Sequence, residues 1–585
     1  MIVLRIKEVQ IKQFRSIKEA KFEFNQINAV VGENNAGKTA VLRALNSFFN
    51  FENEKESFEN RSHQFAARTN SYITISFSLD STDNYNNQYS MNNCLKIKFV
   101  YYYSKQKVEY SIESNNEKKK LIQEQFKKII SPMEFVYIPV ERNQMSNGQY
   151  IFNTLVQNFL KEYTSNRDNI SSEVKKAAKN LHKNVLSKLE RKIKKQYLFN
   201  TDYNFKIKQS DDINYRVLLD TLEVILETNV GGYPLDEYGS GTQSLATIAM
   251  YRANAKLNGK IIVLGIEEPE TNLHPQAQKK LINSLRNSLD DNEIQAIFTT
   301  HSTVLVDQLN HEDIILARRK KTDIKFITVL TQIKSTFWDN PDIEEFKHYQ
   351  YFRYKNSDFF FSKYVVVCES KNDCQVIEKL LQEKLKEKIF ELSFLNADGK
   401  ENIKYAYYLL KELQLPFTII VDRDYFYNYI NNSLDSSRDE RTGFPKYDFS
   451  KVVKRELLKE VFNEERLRNI FGYRKFFEFI SKRNFLSMQY CLEMDLLCSS
   501  KAREEYYKIL EVPKSNQNTN YLLINMKKRI KKIEVFMKVL NSLSNKDLPE
   551  SYKKIRNFII EDLNKILYLI FDYPHKHYTF KYFEV

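Results

Sequence analysis

Eight consecutive residues constrain this chain more than any others: Gly32-Glu33-Asn34-Asn35-Ala36-Gly37-Lys38-Thr39. They fit the spacing GxxxxGK[ST], follow the β-branched run INAVV and precede the helix-forming run TAVLRAL. Glycines let backbone N–H groups turn inward around phosphate oxygens, and the start of a helix adds its positive dipole. At this spacing Lys38 reaches β- and γ-phosphates and Thr39 can hold Mg²⁺. The expectation is an α/β domain that holds ATP with Mg²⁺ through Gly32, Asn34, Asn35, Gly37, Lys38 and Thr39.

The acidic groups expected to complete that site lie far downstream. The apolar run IIVLGI (261–266) leads into Glu267-Glu268-Pro269-Glu270, at the C-terminal end of a strand, where open α/β sheets bind ligands. Glu267 is assigned to the magnesium shell and Glu268 to polarising the attacking water. The next strand, IQAIFTT, delivers Thr300-His301-Ser302. Its imidazole can sense the γ-phosphate, although a His after a strand is, taken alone, more often structural. Upstream, Gly239-Ser240-Gly241-Thr242-Gln243-Ser244 precedes the helical run LATIAMYRANAKL, and such a helix start is a second anion cradle. Two cradles on one chain fit an ATP sandwiched between two protomers.

At 585 residues the chain exceeds what one hydrophobic core serves. With 42% hydrophobic and 28% charged residues it belongs with folded globular proteins. No apolar run approaches the roughly 20 residues needed to span a bilayer, and the first residues alternate like a strand instead of forming a signal-peptide block. A cytoplasmic protein with no membrane partner is expected. Five cysteines (Cys94, Cys368, Cys374, Cys491, Cys498) without CxxC spacing argue against a disulfide framework or a zinc site. The net charge of +15 suits a polyanionic partner, yet the excess of Lys, Asn, Ile and Tyr equally suits coding bias.

Residues 1–110 read as strands interrupted by one helix around Thr39–Phe49, and 115–200 as helical and basic apart from the strand MEFVYIP. Alternating strands and helices return from 261. The polar stretch 336–360 reads as a linker between a domain at 1–335 and one at 361–500, with a basic helical region at 501–585. In the second domain the strand YVVVC ends at Glu369, Asp373 follows, and the strand FTIIV ends in Asp422-Arg423-Asp424. Asp398-Gly399-Lys400 ends a third strand between them. If the strands are parallel neighbours, four carboxylates converge at one sheet edge. That suits Mg²⁺ or Mn²⁺, hard cations that clamp a scissile phosphate and activate water. Further on, Glu493 and Asp495 either complete this site or form the solvated face of an amphipathic helix.

Around the first site the order of elements resembles ABC-type ATPases of the SMC/RecF kind. That resemblance makes Ser240 and Gly241 part of a signature motif, Glu267 and Glu268 a Walker B motif, His301 an H-loop, and Gln64 the Q-loop glutamine. The second carboxylate set resembles the Toprim domain, which has a Glu after its first strand and a DxD after a later one. A Gly usually follows the Glu, and Ser370 stands there instead, making the turn less permissive. ABC ATPase followed by Toprim resembles the OLD (overcoming lysogenization defect) ATPase-nucleases of bacterial anti-phage defence, over essentially the whole chain.

The fold class implied is α/β: an ABC-type ATPase head with a helical insertion, a doubly wound Toprim domain, and a helical C-terminal region. The function implied is an ATP-hydrolysing, metal-dependent DNA endonuclease with Glu268, His301, Glu369, Asp373, Asp422 and Asp424 as its catalytic residues. Metal ligands would be Thr39 and Glu267 at one site and Glu369, Asp373, Asp422 and Asp424 at the other. The same resemblance implies a homodimer or larger assembly through an insertion near 150–200, and a C-terminal lysine that assists cleavage, with Lys527 and Lys528 as candidates. It also implies a defence-system partner such as a helicase, or a retron reverse transcriptase with its RNA–DNA. The competing reading is an SMC/RecF-like repair ATPase that binds DNA without cutting it.

Overall fold

In the computed structural model the described residues are 4–60, 63–65, 70–79, 93–114, 117–140, 164–188, 225–228, 231–237, 260–287, 294–322, 325–339 and 357–571, with a few single positions and runs of two or three residues between them. The chain divides into two compact units. One comprises Met1–Arg15, Glu23–Ala29 and Thr39–Leu305; the other comprises Ser16–Phe22, Val30–Lys38 and Val306–Val585.

In the first unit, Leu4–Phe14 pairs antiparallel with Ser71–Leu79, and Cys94–Tyr102, Lys107–Ser114 and Glu117–Leu121 continue the meander. Leu4 and Ile6 face the core, and so do Val9 and Ile11. That change of parity along one strand is explained by the register shift between Ile6 and Glu8, because one extra residue exchanges the two faces. Met133–Ile138, Ile261–Glu267 and Ile294–Thr299 form a parallel trio. Every residue of the last two strands is buried, as expected of parallel strands covered on both faces.

Two segments differ from expectation. Phe51–Glu59 is a second helix inside the region read as strands, held by Glu54, which accepts from Arg43 Nη1 at 2.9 Å and Asn46 Nδ2 at 2.8 Å. Its two-sided polarity hid it, because one buried carboxylate looks like a surface residue until its partners are known. Glu117–Leu121 is a strand inside the region read as helical, since ladder pairing with Lys107–Ser114 overrides the helix preference of its lysines. The helix Thr164–Leu181, continued by the π-helical turn His182–Leu186, lies within the expected insertion.

In the second unit, Ile314–Lys321 and Phe326–Gln332 form an antiparallel pair, and the latter meets Ile17–Glu23 in parallel. A separate four-stranded parallel sheet has the order Leu392–Asn396, Tyr364–Cys368, Phe417–Val421, Phe485–Ser487. The helices Lys371–Leu385 and Ile403–Glu412 make its crossovers. One buried cluster runs from Tyr364 and Leu381 through Leu496, Tyr506 and Leu523 to Tyr552, Ile559 and Leu563. The helices beyond residue 500 therefore share the core of this sheet. Tyr447–Val452 is a strand paired antiparallel with Tyr427–Tyr429. Among the described residues no helix is long and apolar enough to cross a membrane.

Candidate nucleotide and nuclease sites

Gly32 and Gly37 have φ of +139° and +95°, and a Cβ on either would lie 2.1 Å from an oxygen, the Ala317 carbonyl or Thr328 Oγ1 respectively. Conformation and space both demand glycine there. Asn35, at φ +60°, uses the tolerance of asparagine for the left-handed region. Thr328 Oγ1 donates to the Ala36 carbonyl at 2.9 Å and shares a hydrogen bond with Ser16 Oγ at 2.7 Å, pinning the loop from outside. Buried Lys38 folds back over its own loop, donating from Nζ to the carbonyls of Gly32 at 3.0 Å and Glu33 at 2.9 Å. Asn34 is exposed in this loop, and Thr39 is exposed in the first turn of the helix Lys38–Phe49.

Gln64 is set by a reciprocal pair of bonds. Its N–H donates to the Arg15 carbonyl at 3.1 Å, and the Arg15 N–H donates to His63 Nδ1 at 3.0 Å. The His63 ring stacks on Phe58 at 4.5 Å and meets Phe14 edge-on at 4.7 Å. Burial pushes its pKa down to about 4. An unfolded histidine, near 6.5, takes up a proton that the folded ring refuses, so stability is lost as the pH falls from about 6.5 to about 4, by up to roughly 3 kcal/mol. In a His63→Gln variant, which keeps an acceptor for Arg15, urea midpoints measured near pH 4.5 and near pH 7.5 should differ less than in the parent.

In the first unit, Glu267 ends its strand buried, with Oε2 accepting from the Val140 N–H at 3.2 Å. Burial and the Glu267 charge push the Tyr137 hydroxyl upward. Glu268 has φ +40° and donates its N–H to the Thr299 carbonyl at 3.0 Å. Its Oε1 lies 3.8 Å from His301 Nε2, so these two predicted residues do meet. Sequence reasoning missed Glu270, which accepts from the His301 N–H at 2.7 Å and from Thr300 Oγ1 at 2.8 Å and so fixes the His301 loop. The third acid of the EEPE motif was the available signal. Ser240 and Gly241 lie outside the described residues.

The parallel sheet places Tyr364–Cys368 directly beside Phe417–Val421. Glu369 and Asp422 thus end neighbouring strands, and the Asp422 N–H donates to Glu369 Oε1 at 2.9 Å. A short 3₁₀ turn follows, with Arg423 buried over the Phe476 ring at 3.6 Å while Asp424 accepts from the Tyr429 hydroxyl at 3.0 Å. Burial and then the charges of Asp424 and Asp373 push Glu369 up to about 7 against the pull of Lys400. Burial and Glu369 push Asp422 well up. Asp373 acts on both carboxyls through its charge and is itself held by hydrogen bonds. Its Oδ2 accepts from the Ser370 N–H at 2.9 Å and Ser370 Oγ at 2.8 Å, and Ser370 Oγ accepts from the Asp373 N–H at 3.3 Å. The residue that departs from the Toprim pattern thereby makes a reciprocal helix cap.

Glu493 and Asp495 are not a solvated face. Asp495 is buried and accepts from the N–H groups of Gln489 at 2.7 Å and Tyr490 at 2.8 Å, a structural role. Glu493 pairs with Lys531 and its charge acts on Asp373 and Asp422. Of the two candidate lysines, Lys527 pairs instead with Asp435 at 3.2 Å.

Among the described residues no three or more His, Cys, Asp or Glu side chains form a ready metal cage. Ammonium groups stand among the carboxylates, Lys400 against Asp424 and Glu369 and Lys531 against Glu493. The donor set nonetheless suits a hard divalent ion. Its oxygens are those of carboxylates, crowded enough that their charges raise the proton affinity of Glu369, Asp373 and Asp422, a penalty that a cation relieves.

Residues 27–307 match the family described as "AAA domain, putative AbiEii toxin, Type IV TA system", and residues 360–424 match "Overcoming lysogenization defect protein-like, TOPRIM domain". The chain thus carries an ATPase domain followed by an OLD-like Toprim domain. Such a domain pair uses a nucleotide and a divalent metal. An OLD nuclease of Thermus scotoductus is 28% identical over 210 residues, covering 36% of this chain and 38% of that protein. Endonuclease GajA of Bacillus cereus is 24% identical over 307 residues, covering 47% and 43% respectively. The chain thus matches about two fifths of the length of each curated relative. The SMC head domain from Thermotoga maritima is a distant likeness, with a TM-score of 0.32 at 13% identity over 56% of this chain and 99% of that one.

Proposed function

We propose that this chain is an ATP-binding and ATP-hydrolysing, divalent-metal-dependent DNA endonuclease. One observation carries the reading: Glu369 and the Asp422/Asp424 pair end two strands that are adjacent and parallel. The nuclease names of both relatives and the match of residues 360–424 to an OLD-like Toprim domain support it.

Glu369, Asp422 and Asp424 would hold the ion, with Asp373 and Glu493 facing a second position. A bound Mg²⁺ or Mn²⁺ supplies Lewis-acid polarisation of the scissile phosphate and a more acidic water. The protein's part is to orient these carboxylates through the strand ends, the Ser370 cap and the Tyr429 hydrogen bond. We assign the assisting C-terminal lysine to Lys531, on the strength of its pairing with Glu493. On the nucleotide side, Gly32, Asn34, Asn35, Gly37, Lys38 and Thr39 hold phosphate and Mg²⁺, with Glu267 in the magnesium shell. Glu268 polarises water beside His301, and Gln64 together with Ser240 and Gly241 contacts nucleotide.

A homodimer or larger assembly in the cytoplasm, acting in anti-phage defence with a helicase or a retron reverse transcriptase and its RNA–DNA, completes the proposal. The exposed Ile170, Leu181 and Val185, near one face of a basic helix in the insertion, support the assembly. The test is supercoiled plasmid incubated with the purified chain and Mg²⁺ or Mn²⁺. Nicked or linear product that EDTA suppresses is expected. DNA binding with no cleavage under either metal would favour the SMC/RecF-like clamp instead.

A further inference from the structure

Lys400 lies on the turn after Leu392–Asn396, and that turn is built to place it. The Ala397 N–H donates to the Cys368 carbonyl at 2.9 Å and the Gly399 N–H donates to the Glu369 carbonyl at 2.8 Å, tying the turn to the end of the Glu369 strand. The Asp398 N–H donates to Asn396 Oδ1 at 2.9 Å, Asp398 and Gly399 take φ of +55° and +118°, and a 3₁₀ turn begins at Lys400. These constraints aim Nζ between carboxylates from two different strands. It donates to Asp424 Oδ1 and lies 4.0 Å from Glu369 Oε2. Both carboxylates are largely buried, with side chains 23% and 12% exposed. A surface ion pair has neither this enclosure nor a backbone-anchored approach.

We propose that Lys400 is the built-in counter-cation of the metal site: its ammonium holds Glu369 and Asp424 together when no divalent ion is bound, and it must leave for the ion to bind. The inference rests on the nuclease reading above. Without Lys400, like-charged carboxylates face one another across a largely buried gap; with both Lys400 and a divalent ion, like charges would share it. The lysine therefore stabilises the metal-free protein and raises the metal concentration at which the site fills.

The test is Mn²⁺ binding followed by electron paramagnetic resonance, on the full-length chain without nucleotide or DNA, so that no cleavage is needed for a signal. Lys400→Met and Lys400→Gln are expected to bind Mn²⁺ about tenfold or more tighter than wild type, because a like charge this close commonly shifts a binding equilibrium by that much. Lys400→Arg, which keeps the charge, should stay near wild type. In EDTA both neutral variants should melt below wild type, and Mn²⁺ should close that gap. Asp422→Asn is the control that locates the ion. If Asp422→Asn weakens Mn²⁺ binding while neither neutral variant binds more tightly than wild type, the counter-cation inference is overturned and the nuclease reading stands. If Asp422→Asn leaves Mn²⁺ binding intact in every background, the carboxylate site is misassigned and both fall.

Discussion

Plasmid cleavage by an Asp422→Asn variant is expected to fall by more than about a hundredfold, since even indirect contacts to a metal are worth 10–100-fold, while ATP hydrolysis stays at the parent rate. Asp422 ends one of the two inner strands of the parallel sheet, with its N–H fixed to Glu369 Oε1 at 2.9 Å. Its carboxyl is buried among Glu369, Asp373 and Asp424. Replacing it by a neutral amide of the same shape removes like-charge repulsion, so the variant should melt no lower than the parent in EDTA. Loss of cutting could not then be blamed on misfolding. Glu369→Ala should behave alike in the cleavage assay. Undiminished cutting by both variants would sink the assignment of this edge as the nuclease site.

A Lys38→Met variant should lose nucleotide affinity by about a hundredfold, the order expected when one or two charge-assisted hydrogen bonds of about 1.5–3 kcal/mol each disappear. Hydrolysis should become undetectable alongside. Lys38 is 6% exposed, and its ammonium is held at 3.0 and 2.9 Å from two carbonyls of its own loop. An incoming phosphate therefore meets a desolvated, pre-positioned charge, with little left for ordering to cost. Fluorescent-nucleotide titration checks the affinity, and metal-dependent cleavage without nucleotide shows whether the nuclease site survives. Unchanged nucleotide affinity would remove Lys38, and with it the phosphate loop, from the proposed function.

Both variants probe motifs that are legible in the residues themselves, and for the same reason. At Gly32 and Gly37 a positive φ and a neighbouring oxygen exclude any side chain, so the demand is written into residue type. Glu369 and Asp422 follow runs of five buried, mostly apolar residues, and a carboxylate at such a boundary can be read directly. The helix Phe51–Glu59 is not legible in this way, because its buried Glu54 is stabilised by Arg43 and Asn46 on another helix. Nor is Phe485–Ser487, whose three residues are too few to carry a period.

The sequence alone determined where phosphate-binding backbone and strand-end carboxylates occur along the chain, since these depend on short-range sterics and on the order of residues. Only the tertiary structure decided which charges meet. Sheet order put Glu369 beside Asp422, the turn through Gly399 brought Lys400 to Asp424, and the packing of the C-terminal helices carried Lys531 to Glu493. Partners between 24 and 53 residues apart leave no periodic trace, because the field of a charge depends on distance through space and not on distance along the chain.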